Sequence, residues 1–381
     1  MELEIVERLC RRFPNHPAMK LGPGDDAAIL ELAGSSPEIV VSTDLLTEGV
    51  DFLLARMDPR KIGRKALAVN LSDLAAMAAE PLACVISVAL PKSPLFPTKE
   101  DLAEVHPETS KILGSPEIPE SGPQSQSPIF LPKGQIPGGN SVPLLMEFLC
   151  EGFLDAAEET ARPVGETGQM QTLPIAIAGG DTNTWDGPLV LSVTVIGRTA
   201  GKPLCRNQAQ PGDAIFVTGP LGGSLLRRQF EFVPRVQEML SLNAAFTLHA
   251  GMDISDGLSL DLLRLCRQSR CSAELFPDQI PISSDAVRLS ALKPEESAIY
   301  DWITPSMVSG TPLEHALGDG EDFEVLFTAP WEESVRILQN SLGIPVFRIG
   351  RILEKTGNES QIFSRIEGET PQLLPVRGFC H

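Results

Sequence analysis

The sequence has little of what a thiolate–zinc, disulfide or membrane protein requires. Its seven cysteines form no Cys-x-x-Cys pair and only five scattered histidines accompany them, so a zinc site has little support. No apolar stretch is long enough to span a bilayer. Residues 1–10 have helical spacing and three acids, where a signal peptide would have a basic start and an apolar block. We therefore expect a cytoplasmic protein with free thiols.

Basic residues are also scarce, with 31 Lys and Arg against 50 Asp and Glu, which gives a formal net charge of -19. This balance makes nucleic acid or an anionic membrane an unsuitable main partner, because phosphate polymers are bound by Lys and Arg. A nucleotide can still bind if magnesium ions lie between the two negative partners. The 381 residues, 42% of them hydrophobic and 21% charged, are enough for two domains with sizeable cores.

Several catalytic signatures are missing. There is no Gly-x-x-x-x-Gly-Lys-Ser/Thr loop, no linked pair of protein-kinase signatures and no Gly-x-Ser-x-Gly elbow. Phosphoryl transfer remains compatible with the sequence, because its catalysis is mostly positioning and charge neutralisation. Metal ions held by carboxylates and an Arg supply both without a covalent nucleophile.

What the sequence has is a series of short aspartate motifs, each beside a glycine or a hydroxyl residue. They are Gly24-Asp25-Asp26, Ser42-Thr43-Asp44, Leu71-Ser72-Asp73, Gly179-Gly180-Asp181 and Asp253-Ile254-Ser255-Asp256-Gly257. Magnesium takes one or two carboxylates per ion and completes its shell with waters and phosphates, so several such motifs suit several ions. Each motif alone is equally explained by a turn or a helix cap. Together they predict a polynuclear magnesium site for nucleotide phosphates.

Apolar runs rich in Val and Ile predict strands, and three of the first four touch or lead into an aspartate motif. These runs cover residues 38–46, 84–90, 174–178 and 189–197, followed in the second half by 214–218 and 323–328. Residues 58–79 have helical spacing, with Asp58 before Pro59 as the cap and Asp73 on the apolar stripe. Asp73 is either a metal ligand or the partner of a Lys or Arg. A second helix to about Cys266 could use Ser255 or Asp256 as its N-cap.

The stretch 91–143 differs from its surroundings, since it holds eleven of the 33 prolines together with Ser, Gln and Gly clusters. Proline at this density excludes a continuous helix or a central strand. We predict a mobile surface insertion away from the chemistry, with one short helix around residues 99–105; a lid is the alternative.

The motifs resemble those of one family. In order they are Gly24-Asp25-Asp26-Ala27-Ala28, Val41-Ser42-Thr43-Asp44, Lys65-Ala66-Leu67-Ala68-Val69-Asn70-Leu71-Ser72-Asp73, Gly179-Gly180-Asp181-Thr182, Pro211-Gly212-Asp213, Asp253-Ile254-Ser255-Asp256-Gly257 and Gly320-Glu321-Asp322-Phe323-Glu324. They are similar to the thiamine-monophosphate kinases, in the superfamily of aminoimidazole ribonucleotide synthetase and selenophosphate synthetase. The likeness covers nearly the whole chain outside the insertion at about 94–143.

The resemblance implies a mixed α/β fold with two α/β domains of the aminoimidazole ribonucleotide synthetase type. Residues 1–198 would form an N-terminal domain that binds ATP and magnesium and whose sheet builds a β-barrel spanning a homodimer. Residues 199–381 would form a C-terminal α/β sandwich. The implied reaction transfers the γ-phosphate of ATP directly to thiamine monophosphate and gives thiamine diphosphate.

The resemblance also implies roles for individual residues, none of them a covalent catalyst. The magnesium ligands would be Asp26, Ser42, Thr43, Asp44, Asp73, Asp181, Asp253 and Asp256. The ATP contacts would be Gly180, Arg206 and Ser255, and the thiamine substrate contacts would be Asp51, Glu321 and Phe379. Asp51 stands where the family often has His, and Asp319 adds an acid beside Glu321; an effect of either departure on substrate preference is left open by the sequence.

Two other functions stay open. A hydrogenase-maturation dehydratase relative would carry a reactive cysteine at the extreme C-terminus, and here Cys380 is followed by His381. A non-catalytic nucleotide sensor would keep the metals without transferring phosphate. The intact aspartate motifs argue against the sensor, because a degenerate binder would tolerate the loss of some carboxylates.

Overall fold

The structure, a computed structural model, describes residues 19–21, 28–30, 38–103, 130, 131, 135, 137–160, 162–164, 169–172, 174–199, 201–293, 308–340, 342–366 and 368–378. In these ranges the chain has a mixed α/β fold built on two large β-sheets. A long helix packs against strands of both sheets. No described helix has the length and apolar character needed to cross a bilayer.

The first sheet has six strands in the order β1-β2-β3-β8-β4-β7. Their bounds are Met19–Leu21 (β1), Ala28–Leu30 (β2), Ile39–Thr47 (β3), Glu80–Pro91 (β4), Ala176–Trp185 (β7) and Val190–Arg198 (β8). All neighbours are antiparallel except β4 and β7, which run parallel. A separate hairpin joins Arg162–Val164 (β5) to Gln169–Thr172 (β6). The four predicted strands of this half are therefore confirmed.

The central helix α1 spans Pro59–Ala76 and is buried along almost its whole length. The Asp58 side chain accepts a hydrogen bond from the Arg60 backbone N–H, and proline follows at the first position, as the sequence predicted. Helix α3, Val142–Glu158, lies against α1 through glycine: a Cβ on Gly152 would sit 1.9 Å from the Arg60 carbonyl oxygen. This helix was not predicted, because its start falls inside the proline-rich stretch.

The second sheet has seven strands in the order β10-β12-β9-β13-β11-β14-β15. They are Ala214–Val217 (β9), Gly251–Asp253 (β10), Ser272–Leu275 (β11), Val325–Ala329 (β12), Phe347–Leu353 (β13), Ile362–Ser364 (β14) and Gln372–Leu373 (β15). The helices of this half are Val236–Ala245 (α4), Leu258–Ser269 (α5), Ser284–Ala291 (α6), Pro312–Gly318 (α7) and Ser334–Leu338 (α8). Helix α1 packs on α4, β10 and β12, so one apolar core joins the two sheets.

The ends of the proline-rich stretch are not confined to the surface. The short helix α2, Lys99–Ala103, confirms one part of the prediction. However, Phe96, Phe130 and Leu131 are fully buried, and the Leu131 backbone N–H donates to the Arg56 carbonyl oxygen at 2.7 Å. Phe130 also makes an edge-to-face contact with Phe230, at 5.8 Å between ring centroids. The expectation of a surface insertion is therefore wrong at its two ends, where these residues are buried. Residues 104–129 lie outside the described ranges.

The structure also bears on the predicted barrel and on the predicted free thiols. The first sheet is open, and no closed barrel is formed by the described strands. No disulfide joins any of the described cysteines, while Cys10 and Cys380 lie outside the described ranges.

Candidate active site

A cavity of about 460 Å³ opens where β3, α1, the loop after β10 and the loop before β12 meet. Its acidic lining consists of Asp44, Asp51, Asp73, Asp253, Asp256 and Glu321. Thr43, Ser255, Lys65 and Phe323 add polar and aromatic surface. Three of the five aspartate motifs, drawn from both halves of the sequence, therefore meet in one place.

The first wall of the cavity is formed by β3 and α1. Alternation along β3 directs Ser42 and Asp44 to the face that carries α1, since successive side chains of a strand point to opposite faces. Ser42 Oγ donates a hydrogen bond to Asp73 Oδ2. Thr43 points to the opposite face, where its hydroxyl donates to the Val193 carbonyl oxygen at 3.0 Å. Asp73 is thus held by a serine hydroxyl at the mouth of the helix–sheet contact.

The second wall is formed by the loop after β10. Asp253 ends the strand and is buried, and its Oδ2 accepts from Ser72 Oγ at 2.9 Å. The hydroxyls of Ser42 and Ser72, on different elements, therefore orient two of the cavity carboxylates. Ser255 lines the cavity, and its carbonyl oxygen accepts from the Glu321 backbone N–H at 2.6 Å.

Asp256 is paired with a base in this structure. Its carboxylate makes an ion pair with Arg264, which also contacts Asp261 at 2.8 Å. Burial, followed by the neighbouring Asp256 carboxylate, raises the pKa of Asp261 to about 7. Helix α5 has Gly257 as its N-cap with no side-chain cap, so the prediction that Ser255 or Asp256 caps it is wrong. The Asp261 carboxylate accepts from the Asp256 and Gly257 backbone N–H groups instead.

The floor of the cavity holds a buried ion pair that the sequence did not reveal. Lys65 is 1% exposed and its Nζ lies 2.9 and 2.8 Å from the two carboxylate oxygens of Glu321. Glu321 has φ +52, a backbone conformation that few residues other than glycine adopt. Asp51 lies nearby and accepts from the Thr47 backbone N–H at 2.6 Å, so its carboxylate also shapes the turn after β3.

The extra acid at position 319 points away from the cavity lining. Asp319 accepts from the Gly223 backbone N–H at 2.8 Å and contacts His315 Nδ1 at 2.8 Å. Asp322, fully buried, accepts from the Gly222 backbone N–H at 2.8 and 3.0 Å. Both acids therefore fix the glycine loop after β9, as an Asp side chain does wherever it accepts backbone donors.

Asp322 predicts a pH dependence of stability. Burial raises its pKa from the ordinary value of 3.8 to about 7. The pKa of Asp322 is higher in the folded protein than in the unfolded chain, so the folded protein binds the proton more tightly. The resulting stabilisation of the folded state is complete below about pH 4 and is lost as the pH rises to 7. The slope for one such group is about 1.4 kcal/mol per pH unit. Asp322→Asn should remove this slope from the free energy of unfolding, measured by urea denaturation at pH 5, 6 and 7.

The control is Asp285→Asn, which removes a more exposed acid paired with Arg288 at 3.0 Å. Its free energy of unfolding should run parallel to that of the unmodified protein across the same pH range. Parallel curves for Asp322→Asn as well would show that Asp322 keeps one charge state throughout.

Other predicted site residues lie apart from the cavity. Leu45, Ser192, Ser87 and Asp181 are consecutive partners across the sheet, so three strand spacings of about 4.8 Å each separate Asp181 from β3. Asp181 is exposed on the edge strand β7.

Gly180 and Arg206 lie outside the cavity lining too. A Cβ on Gly180 would sit 1.9 Å from the Ile86 carbonyl oxygen, so the close packing of β7 on β4 requires glycine at this position. Arg206 lies in a short 3-10 turn, Arg206–Gln208, close enough to lower the pKa of Asp261. Asp26 and Phe379 fall outside the described residues.

The donor set suits a hard cation. The cavity offers carboxylate and hydroxyl oxygens, the ligands that magnesium prefers, and the serine hydroxyls already orient two carboxylates. Among the described residues, no three His, Cys, Asp or Glu side chains are gathered closely enough to hold an ion by themselves.

Part of the chain matches a known protein family, and nearly the whole chain shares its fold with a solved structure. Residues 24–118 match the family model for the N-terminal domain of AIR synthase related proteins. The structure of AaThiL complexed with AMPPCP and TMP has the same fold, with a TM-score of 0.63 at 22% identity, covering 99% of this chain and 94% of that one. The fold is thus shared with that structure, and residues 24–118 are similar to the AIR synthase related family.

Relatives with higher sequence identity define the family more narrowly. The thiamine-monophosphate kinase of Rhodopirellula baltica is 35% identical, over 100% of this chain and 97% of that protein. The crystal structure of thiamine-monophosphate kinase from Stenotrophomonas maltophilia K279a is 29% identical with a TM-score of 0.57, covering 96% of both chains. The chain belongs to the thiamine-monophosphate kinase family.

Proposed function

We propose that this protein transfers the γ-phosphoryl group of ATP to the phosphate of thiamine monophosphate, forming thiamine diphosphate and ADP. The observation that carries the proposal is the convergence of Asp44, Asp73, Asp253 and Asp256 on one cavity, in a chain 35% identical to a thiamine-monophosphate kinase over its whole length. A direct transfer needs no covalent nucleophile, and the cavity lining contains no cysteine or histidine among the described residues.

The physical problem of this reaction is charge, because two polyanions must approach each other in a negatively charged cavity. Unscreened repulsion would oppose a reactive geometry. Magnesium ions would supply the positive charge between carboxylates and phosphates. The part of this chain is to orient the carboxylates, as Ser42 does for Asp73 and Ser72 for Asp253.

We assign the magnesium ligands as Asp26, Ser42, Thr43, Asp44, Asp73, Asp181, Asp253 and Asp256. Gly180, Arg206 and Ser255 are proposed to contact ATP, and Asp51, Glu321 and Phe379 the thiamine substrate. The cavity lining supports Asp44, Asp73, Asp253, Asp256, Ser255, Asp51 and Glu321, whereas the Thr43 hydroxyl lies on the opposite face of β3. For Asp256, the ion pair with Arg264 implies that magnesium has to compete with a guanidinium.

We propose that the protein works as a cytoplasmic homodimer, with the first sheet of each copy contributing to a shared barrel. Strand β7 supports this, because it lies at the end of the sheet order and all its residues are exposed. An exposed edge strand is a template for pairing with another chain. Analytical ultracentrifugation tests the dimer, since each chain has a mass of 41.0 kDa.

We further propose that the two sheets belong to two domains, 1–198 and 199–381. Strand β8 ends at Arg198, and every strand of the second sheet follows it in sequence.

The direct test is ADP release with ATP and magnesium, comparing thiamine monophosphate with thiamine, aminoimidazole precursors and no acceptor, and identifying the product by mass. The kinase should form ADP and thiamine diphosphate together, only when thiamine monophosphate is present. Tight ATP binding without transfer to any acceptor would support the nucleotide sensor instead. Loss of turnover in Cys380→Ser would support a dehydratase-like reaction, whereas a kinase should keep its turnover.

A further inference from the structure

The buried pair of Lys65 and Glu321 lies in the same cavity as the magnesium carboxylates but has a different character. Lys65 is the one basic side chain among the described residues that line the cavity. It comes from α1, whereas Glu321 precedes β12, so the pair joins the two halves of the chain. A buried charge is stable only when paired and fully hydrogen-bonded, so this arrangement has to be explained by its partners.

The Lys65 ammonium group has no hydrogen left for a ligand. Its three donors face the Glu321 carboxylate at 2.8 and 2.9 Å, Gln229 Oε1 at 2.9 Å and the Asp51 carbonyl oxygen at 3.3 Å. The ammonium also lies 4.8 Å from the centre of the Phe230 ring. With 1% exposure, Lys65 cannot act as a phosphate-binding lysine. Its effect must pass through Glu321.

Glu321 is the member of the pair that a ligand can reach. Its side chain keeps 20% exposure and lines the cavity. Its backbone is fixed in the left-handed region and tied to the Ser255 carbonyl oxygen, so the direction of the side chain is set by Lys65. Both Glu321 carboxylate oxygens accept from the Lys65 ammonium, whereas the carboxylates of Asp73 and Asp253 accept from serine hydroxyls.

We propose that Lys65 is a positioning residue for the acceptor substrate: it holds the Glu321 carboxylate in one orientation, toward the cationic thiamine part of thiamine monophosphate, and keeps it apart from the magnesium set. The inference rests on the proposed function. The acceptor carries a thiazolium cation and an amino group, both of which a fixed carboxylate attracts, whereas ATP offers no such cation.

The floor beneath the pair explains how Lys65 is kept in place. The Phe230 ring lies under the ammonium group, and Phe130 packs edge-on against that ring at 5.8 Å. The end of the proline-rich insertion therefore supports the lysine from behind. A rigid support of this kind favours a fixed carboxylate over one that adjusts to each ligand.

The test is steady-state kinetics of Lys65→Met with each substrate varied in turn. The KM for thiamine monophosphate should rise at least tenfold, while the KM for ATP and the kcat stay within about twofold, because only the binding of the acceptor is weakened. A purely structural role would change both KM values together or lower kcat through a loss of folded enzyme. An unchanged KM for thiamine monophosphate would overturn the proposal.

The matched control is Lys61→Met. Lys61 lies one turn earlier on α1 and also joins the two halves, through an ion pair with Glu231 at 3.0 Å, but it does not line the cavity. Both KM values should stay within about twofold of the unmodified enzyme. A rise of the acceptor KM in this variant equal to that of Lys65→Met would show a general effect of linking the halves, and would overturn the proposal.

A double-mutant cycle shows whether Lys65 acts through Glu321. Glu321→Gln alone should raise the acceptor KM, and adding Lys65→Met should change it by less than about twofold, because the group through which Lys65 acts is already altered. If the acceptor KM of the double variant rises by the product of the two single-variant increases, the residues act independently and the proposal is contradicted. If Lys65→Met is insoluble, the kinetics are measured on Glu321→Gln instead. The KM for thiamine monophosphate should again rise while the KM for ATP stays within about twofold. A KM for thiamine monophosphate equal to that of the unmodified enzyme would contradict the proposal.

The experiment separates this inference from the proposed function. If the unmodified enzyme forms no thiamine diphosphate, the proposed function fails, and calorimetric binding of thiamine monophosphate becomes the readout for Lys65. Binding at least tenfold weaker in Lys65→Met then supports the positioning role, and equal binding overturns it. If the unmodified enzyme forms thiamine diphosphate, the KM values for thiamine monophosphate and ATP decide whether Lys65 has the positioning role.

Discussion

Asp73→Asn should lower kcat by roughly two to three orders of magnitude while the protein stays folded. Asn keeps the shape of the side chain and still accepts the hydrogen bond from Ser42 Oγ, so the helix–sheet contact is retained. What it loses is the negative charge that would hold a magnesium ion against the phosphates. The measurement is thiamine diphosphate formation at saturating ATP, magnesium and thiamine monophosphate, with urea denaturation as the check on folding.

Asp44→Asn should behave in the same way, since Asp44 lines the same wall of the cavity. The matched control is Asp186→Asn, which removes an exposed carboxylate from the same sheet region, where it pairs with Lys92 at 2.8 Å. Its kcat should match that of the unmodified enzyme, because a surface ion pair contributes little. Full turnover in Asp73→Asn would remove Asp73 from the magnesium ligands.

The wall that carries Asp73 could be predicted from the sequence because local patterns determine it. The apolar run rich in Val and Ile predicted β3, and the Asp58-Pro59 pair marked the start of α1 within a residue. Strand β3 buries alternate residues and α1 is buried along almost its whole length, so the apolar residues of both mark them in the sequence. The aspartate motifs on these two elements could then be assigned to one magnesium site. The cavity contains four of the proposed magnesium ligands as carboxylates: Asp44, Asp73, Asp253 and Asp256.

The floor of the cavity could not be predicted in this way, because it depends on contacts between distant segments. Lys65 meets Gln229 and Glu321, which are 164 and 256 residues further along the chain. A lysine inside an apolar helix was the available signal, yet the pattern alone does not name its partner. The same limit applies to Phe130, whose burial depends on Phe230, and to Asp256, whose nearest base is Arg264.

The second substitution with a large expected effect is Arg64→Met, which should destabilise the protein by about 3–5 kcal/mol. Arg64 is buried and donates to both carboxylate oxygens of Glu159 at 2.9 and 2.6 Å. It also donates to the carbonyl oxygens of Phe230 and Phe232. Met fills the volume but leaves these acceptors without their donor. Urea denaturation should show the loss as a lower midpoint at an unchanged slope.

Arg60→Met is the matched control, because Arg60 lies one turn earlier on α1 and makes the same two-pronged pair with Asp155, at 2.6 and 2.7 Å. It is 41% exposed, so its removal should cost less than about 1 kcal/mol. Equal losses in the two variants would mean that burial does not distinguish them. A selective loss in Arg64→Met would show that the buried contacts between α1 and the segment bearing Phe230 and Phe232 stabilise the fold. The Phe230 ring of that segment lies under Lys65.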